Sequence, residues 1–245
     1  MKTRQGTDTP VVGSVDTLKI KVVEHPFSFR DSPDEHLTAL IVTAINHMGG
    51  VGEHAEEAYQ RALAALRDHV DAVVKTVAAE YSRVPENQYL DRWSLVQLFA
   101  ELPHPSALAT LERILASDIP PERSKDPHGH STVGEEVMIR TTAVDALARL
   151  HAAKIVEAGR ILLRYAEHPT FSIRRACVQA VMETGSPDEQ KNLQKILQKR
   201  GETSLLEIRR RDVREVPQAT GGRFIVRDDR KNEPPSPGLK GRPAI

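Results

Sequence analysis

A segment of the sequence occurs three times, and this repetition constrains the fold more than any other feature. The copies read "YLDRWSLVQLFAEL" at 89–102, "VMIRTTAVDALARL" at 137–150 and "FSIRRACVQAVMET" at 171–184. When the copies are aligned, each has an arginine at one shared position and a valine four residues later. These aligned residues are Arg92, Arg140 and Arg174, followed by Val96, Val144 and Val178.

A second segment follows each copy at a nearly constant distance. "LERIL", "AGRIL" and "LQKIL" contain an isoleucine that lies 22, 21 and 22 residues after the aligned arginine. The arginines are 48 and 34 residues apart, and the longer gap includes the polar loop 118–131. Two helices repeated at one period predict an all-α fold, a short right-handed α-solenoid of antiparallel helix pairs. In such a fold each unit buries its apolar face against its neighbours.

Capping and stop signals divide the middle of the chain into helices. Ser32 as N-cap, a following proline and the Gly49–Gly50 pair delimit the first predicted helix. The pattern then predicts one long helix over 53–83 and shorter helices over 88–102, 105–116, 133–150, 153–167, 170–184 and 187–199. The predicted solenoid covers 34–200, between an extended N-terminal segment at 1–33 and a C-terminal extension at 201–245.

The two end segments have strand-like alternation. "LKIKVVE" at 18–24 places apolar and basic residues on opposite faces, and "GGRFIVRDD" predicts a possible strand at 222–228. The final "KNEPPSPGLKGRPAI" is rich in proline and glycine, which is typical of a disordered tail. The strands could pair with each other or be added to the sheet of a partner.

The repeats resemble HEAT repeats, especially the short variety known as PBS-lyase HEAT-like. The copy at 171–184 carries the resemblance most closely, through His168-Pro169, Ile173-Arg174, Ala176-Cys177, Ala180-Val181 and Gly185-Ser186-Pro187-Asp188. The resemblance covers about 88–199, and the copy at 89–102 departs from it with Asp91-Arg92. It implies that the helices with the aligned arginine line a concave surface. A period near 34 also occurs in tetratricopeptide repeats, but their Trp-Leu-Gly-Tyr pattern is absent.

The one cysteine, Cys177, follows two arginines, and a thiol beside positive charge can be a reactive nucleophile. In the repeat alignment, however, the same position holds Ala143 and Leu95. A position that accepts cysteine, alanine or leucine is a packing position for a small or medium apolar group. We therefore predict that Cys177 is a buried core residue.

The loop "SKDPHGHST" is the best metal candidate in the sequence. It contains Asp126, His128 and His130, with Glu135 just beyond, and such side chains bind transition metals. The usual ligand spacings are missing, so we expect a polar surface loop and no metal or other cofactor. The sequence also lacks a glycine-rich phosphate loop and a Gly-x-Ser-x-Gly motif. These observations predict that the protein is not an enzyme.

The charge balance narrows the class of partner. The chain has 34 basic and 34 acidic residues, whereas nucleic-acid binders usually have a basic excess. One cysteine fits a reducing compartment. The first residues contain no apolar stretch of signal-peptide length, so we expect a soluble, cytoplasmic protein.

The resemblance also indicates which residues would meet a partner. Residues one and five positions after the aligned arginine would form a strip on the concave surface, and tryptophan and arginine often dominate interfaces. The predicted partner-binding residues are Trp93, Gln97, Thr141, Asp145, Arg175 and Gln179. The alternative for Trp93 is that it packs against the predicted long helix.

Three functions are compatible with this reading. The favoured hypothesis is a non-catalytic scaffold or adaptor that holds another protein, as a component of a multi-protein complex. The alternative is a nucleic-acid-binding protein similar in fold to the HEAT-like alkyl-base DNA glycosylases. A third, the handling of a bilin chromophore, is suggested only by the name of the repeat family.

Because the net charge is near zero, we expect the protein not to retard DNA in a gel shift, even at low ionic strength. The measurement is a titration of duplex and single-stranded DNA over a series of salt concentrations. A retarded band that fades as salt rises would contradict this expectation and favour the nucleic-acid hypothesis.

Overall fold

The computed structural model describes residues 27–50, 54–125 and 131–207, and the regular elements in these ranges are all helical. They are α1 (Glu35–His47), α2 (Ala55–Arg67), α3 (Val70–Tyr81), α4 (Tyr89–Glu101), α5 (Leu108–Ala116), α6 (Thr132–Ala152), α7 (Val156–Tyr165), α8 (Phe171–Thr184) and α9 (Pro187–Arg200). Short 3-10 turns cover Pro105–Ala107 and Thr203–Leu206. The all-α prediction is confirmed for the described ranges. The predicted strands at 18–24 and 222–228 lie outside them.

The first helix starts two residues later than the sequence suggested. Its N-cap is Asp34, whose carboxylate accepts a hydrogen bond from the Leu37 backbone N–H at 2.6 Å. The hydroxyl of Ser32, the predicted cap, instead donates to the Asp34 carbonyl at 2.8 Å. Both residues are good caps, and the one that reaches the first-turn N–H defines the start. The predicted glycine stop is confirmed, since Gly49 has a φ of +73° just beyond α1.

The predicted long helix at 53–83 is wrong, because the structure breaks it into α2 and α3 at Asp68 and His69. The backbone of His69 leaves the helical region, with φ −125° and ψ 24°. The two halves pack on different partners: α2 lies mainly against α1, and α3 against α4. A straight helix could not satisfy both contacts, and aspartate and histidine are weak helix formers at which a break costs little.

Helices α4, α6 and α8, which carry the three repeat copies, lie side by side and run parallel. The Trp93 indole N–H donates to the Thr142 hydroxyl at 3.1 Å, and Arg149 donates to Glu101 at 3.3 Å. Between α6 and α8, His151 Nδ1 lies 3.0 Å from the Thr184 hydroxyl. These contacts join residues 48 and 49 apart on α4 and α6 and 33 apart on α6 and α8, while the Arg92–Glu136 pair joins residues 44 apart on α4 and α6. The steps of 48 and 33, given by Arg149–Glu101 and His151–Thr184, are taken as the register of the three helices.

The second helices complete the packing. Helix α6 contacts α5 and α7 as well as α4 and α8, and α7 in turn contacts α5 and α9. The aligned valines Val96, Val144 and Val178 are fully buried, and so are the leucines that end the second segments, Leu115, Leu162 and Leu197. Full burial of one such side chain contributes about 1.5–3 kcal/mol. The repeated positions therefore form the shared core of the described chain.

The three aligned arginines are buried, and each donates to backbone carbonyls in the link before its own helix. Arg92 donates to the carbonyl of Glu86, at 3.0 Å. Arg140 donates to those of Ser117 and Asp118, at 3.0 and 2.9 Å. Arg174 donates to the carbonyls of His168 and Pro169, at 2.6 and 3.1 Å. These bonds hold the end of one helix to the start of the next.

Glu136 joins the first two arginines into one buried ion cluster. Its carboxylate accepts hydrogen bonds from Arg92 on α4 and from Arg140 one turn later on α6. Burial alone would raise the pKa of Glu136, but the hydrogen bonds and charges of both guanidinium groups outweigh it and lower the pKa below its ordinary value. At the third copy, Glu202 accepts from Arg174 at 2.8 Å.

Replacement of the shared carboxylate should destabilise the protein strongly. We expect Glu136→Gln to lower the free energy of unfolding at pH 7 by about 3 kcal/mol, because two buried guanidinium groups lose their counter-charge. Glu57→Gln, which removes only exposed contacts with His54 and Arg61, is the matched control and should have little effect. The measurement is urea unfolding followed by circular dichroism.

The same pair of proteins tests the pH dependence. Because the pKa of Glu136 is lowered by folding, its contribution is present above the unfolded pKa of about 4.3 and is lost as pH falls through the folded pKa. Wild type should therefore lose more stability than Glu136→Gln between pH 7 and pH 3. Equal losses in the two proteins would contradict this assignment.

Candidate partner-binding face

The six predicted partner-binding residues lie on α4, α6 and α8, the helices that carry the three repeat copies. In the repeat alignment a step of 48 residues leads from Trp93 to Thr141 and a step of 34 leads on to Arg175, one residue more than the 33 that separate His151 from Thr184. One turn later, the same steps connect Gln97, Asp145 and Gln179. We call these six residues the inner strip. The strip therefore consists of two rows that cross three parallel helices.

The members of the inner strip differ in how much they offer to a partner. Arg175 is exposed, whereas Gln97, Thr141 and Asp145 are half-buried. Gln179 is only 8% exposed, so little of its side chain can reach another molecule. The exposed guanidinium of Arg175 is thus the strongest candidate anchor.

Trp93 is half-buried, with one edge already engaged. Its N–H bonds Thr142, and its ring packs against the apolar core. A cavity of about 220 Å³ lies beside it, lined also by Gln97, by Tyr59 of α2 and by residues 47–50 after α1. The alternative prediction for Trp93 was packing against the helix that follows residue 53. Such packing accounts for part of its surface, and the remainder faces this cavity.

Polar groups at the far end of the strip are paired within the protein. Glu101 accepts hydrogen bonds from Gln97 at 3.0 Å and from Arg149 at 3.3 Å. Tyr59 lies close enough to Glu101 for the carboxylate charge to affect its pKa. Burial is the largest cause, followed by the charges of Glu101 and Glu56, and together they raise the pKa of Tyr59 to about 12. At neutral pH the phenol therefore stays protonated and can act only as a hydrogen-bonding group.

The structure reveals an apolar row that the sequence reading missed. Leu90, Met138 and Phe171 are 60%, 46% and 52% exposed, and they follow the register, with steps of 48 and 33 residues. Leu90 and Phe171 lie in the first turns of α4 and α8, Met138 is the seventh residue of α6, and each lies one turn before a residue of the inner strip. Alignment on the arginines places Ser172 rather than Phe171 opposite Met138, so the row is visible only with the helix register. We call these three residues the apolar row.

Cys177 is fully buried on α8, which confirms the prediction of a core position. Its desolvation raises the pKa of the thiol to about 12, in spite of the two arginines that precede it. Arg174 turns toward carbonyls and Glu202, while Arg175 points outward. The sequence neighbours therefore do not activate the thiol.

A buried histidine joins four helices. His151 at the end of α6 lies 3.0 Å from the Thr184 hydroxyl of α8 and 3.2 Å from the carboxylate of Glu189 on α9. Gly159 of α7 packs so closely that a Cβ there would lie 2.6 Å from both His151 Nε2 and Glu189 Oε1. Glu189 also belongs to the capping box of α9. This polar group therefore fixes the relative positions of the last helices.

Within the described ranges, no three His, Cys, Asp or Glu side chains are arranged to hold a metal ion. The candidate ligands Asp126, His128 and His130 lie outside those ranges, and Glu135 occupies the first turn of α6. Among the helices that the structure describes, none is both long and apolar enough to cross a bilayer.

Comparisons with known proteins return one structural likeness. No protein-family model matches the chain, and no curated protein matches it. The chain is similar to a chain of the complex of CpcE and CpcF of phycocyanin lyase from Nostoc sp. PCC7120, with 21% sequence identity and a TM-score of 0.42. The match covers 70% of this chain and 99% of the other.

The buried thiol generates a direct test. We expect folded protein at pH 8 to react with a thiol reagent such as DTNB far more slowly than an exposed cysteine, because Cys177 is inaccessible and protonated. In guanidinium the same protein should release one equivalent of chromophore. Rapid stoichiometric reaction of the folded protein would show that the thiol is accessible.

Proposed function

We propose that the protein is a non-catalytic scaffold, a short HEAT-like solenoid that holds another protein on its inner strip. The observation that carries this proposal is the parallel register of α4, α6 and α8. Arg175 and Trp93 lie on two of these helices, each one position after an aligned arginine, and Arg175 is exposed. Arginine and tryptophan are the side chains that most often dominate protein interfaces.

The titration behaviour of the described residues supports a role without catalysis. General acids and bases work best when their pKa lies near the operating pH. Here burial raises the pKa of Cys177 and of Tyr59 to about 12. The pKa of His168 is lowered, chiefly by burial and also by the charges of Arg140 and Arg174. At neutral pH the Cys177 thiol and the Tyr59 phenol therefore stay protonated, so neither is activated as a nucleophile or a base.

The placement of the arginines favours a protein partner over a nucleic acid. Arg140 and Arg174 are buried and bonded to carbonyls and carboxylates, so they are not available to phosphates. Arg149 is paired with Glu101. Of this group only Arg149 and Arg175 are exposed, whereas affinity for DNA requires several phosphate contacts.

We place this scaffold in the cytoplasm, as a component of a multi-protein complex. A partner protein would cross the inner strip from α4 to α8 and would bury the remaining surface of Trp93. The terminal segments predicted as strands at 18–24 and 222–228 could add further contacts to such a partner. No cofactor is required by this function.

The test is affinity purification of the full chain from its native host, with the co-purified proteins identified and quantified by mass spectrometry. We expect Arg175→Glu and Trp93→Ala each to reduce recovery of the specific partner at least tenfold, which corresponds to about 1.4 kcal/mol of binding free energy. Arg160→Glu on α7 is the matched control, since it reverses an exposed arginine outside the strip.

The control variant should recover the partner as wild type does, and all variants should have native circular dichroism. Undiminished recovery with both Arg175→Glu and Trp93→Ala would show that the partner, if any, binds elsewhere. Uniform loss in all three variants would point to an effect of charge or of folding rather than to the strip.

A further inference from the structure

The apolar row forms a ready contact surface at one edge of the described helices. The axes of packed helices lie about 8–10 Å apart. Leu90, Met138 and Phe171, on three neighbouring helices, therefore span roughly 20 Å. They are three of the four large hydrophobic side chains that are strongly exposed in the described ranges. Exposed apolar side chains that line up in this way usually mark an interaction site.

The described chain ends beside this row. The 3-10 turn Thr203–Leu206 packs against α8, with Leu205 buried. Just before it, Glu202 accepts a hydrogen bond from Arg174, which lies in the first turn of α8. Residue 207 therefore lies close to Phe171, and the 38 residues of 208–245 continue from this point.

The sequence beyond residue 207 contains a segment that suits the row. Its longest apolar run is Phe224-Ile225-Val226, and this run begins 17 residues after Glu207. Seventeen extended residues reach at most about 55–60 Å, well beyond the length of the row. Arg223 and Arg227 flank the run.

We propose that residues 222–228 of the same chain cover the apolar row, with Phe224 and Val226 against Met138 and Phe171. Three exposed side chains are a small contact surface for a separate molecule. A tethered segment, however, acts at an effective concentration in the millimolar range, which is enough to occupy such a surface. The covering of the row involves a different surface from the inner strip and does not depend on the proposed function.

The first test is disulfide trapping in the purified full-length protein, without any partner. The paired variant Met138→Cys with Val226→Cys should form an intramolecular disulfide under mild oxidation. The matched control combines Val156→Cys with Val226→Cys, because Val156 is 53% exposed but follows the opposite end of α6, about 20 Å away. The buried Cys177 remains in both proteins.

We expect the Met138 pair to close at least tenfold faster than the Val156 pair, as monomer on a non-reducing gel. Equal rates for the two pairs would overturn the proposal, because they would indicate a tail that samples both ends of the helices alike. Disulfide-linked dimers whose yield rises with protein concentration would also overturn it, and would indicate that a second copy covers the row.

A second measurement does not require the segment to tolerate a cysteine. We expect the thiol of Phe171→Cys to react with DTNB several-fold faster when Phe224→Asp is introduced into the same chain, because the row is then uncovered. The thiol of Val156→Cys should react with DTNB at the same rate whether or not Phe224→Asp is present. An unchanged rate at position 171 would overturn the proposal, whatever the outcome of partner purification.

Discussion

The sharing of one buried carboxylate by two arginines is the interaction on which the rest of the structure depends. Glu136 binds Arg92 across the α4–α6 contact and Arg140 within α6, while both guanidinium groups also bond carbonyls of the links before their helices. Buried charges are tolerated only when nearly all of their hydrogen-bonding capacity is met. The cluster therefore permits one relative position of α4 and α6, and this position sets the register. The apolar row is a consequence of that register.

The sequence predicted those features that the repeat imposes on packing. Cys177 was recognised as core because its aligned residues are small or apolar. The break between α2 and α3 was not predictable in this way, because local pattern through Asp68 and His69 favours one continuous helix. The break arises because the two halves, α2 and α3, pack on different neighbours. The capping role of Asp34 rather than Ser32 was hidden for a similar reason, since both residues have suitable side chains.

The inner strip stays a prediction, both in position and in role. Repeat arithmetic selected its six residues, yet it could not show that Gln179 is buried or that the indole of Trp93 is bonded to Thr142. It also missed the apolar row, because α6 and α8 are related by a step of 33 residues in space and by 34 in the alignment. A difference of one residue turns a helix position by about 100°, which is enough to exchange an exposed phenylalanine for a serine.

The arginine bonds between successive helices also affect how the protein comes apart. In many repeat proteins, a terminal unit can unfold by itself at the cost of one interface. Here the opening of α5 and its link would strip carbonyl partners from Arg140, and the loss of α6 would leave Arg92 without its carboxylate. Partial unfolding would thus leave buried positive charge without partners in the part of the protein that remained folded. Helices α4 to α8 should consequently behave as a single cooperative unit, with little population of states in which only part of the repeat array is open.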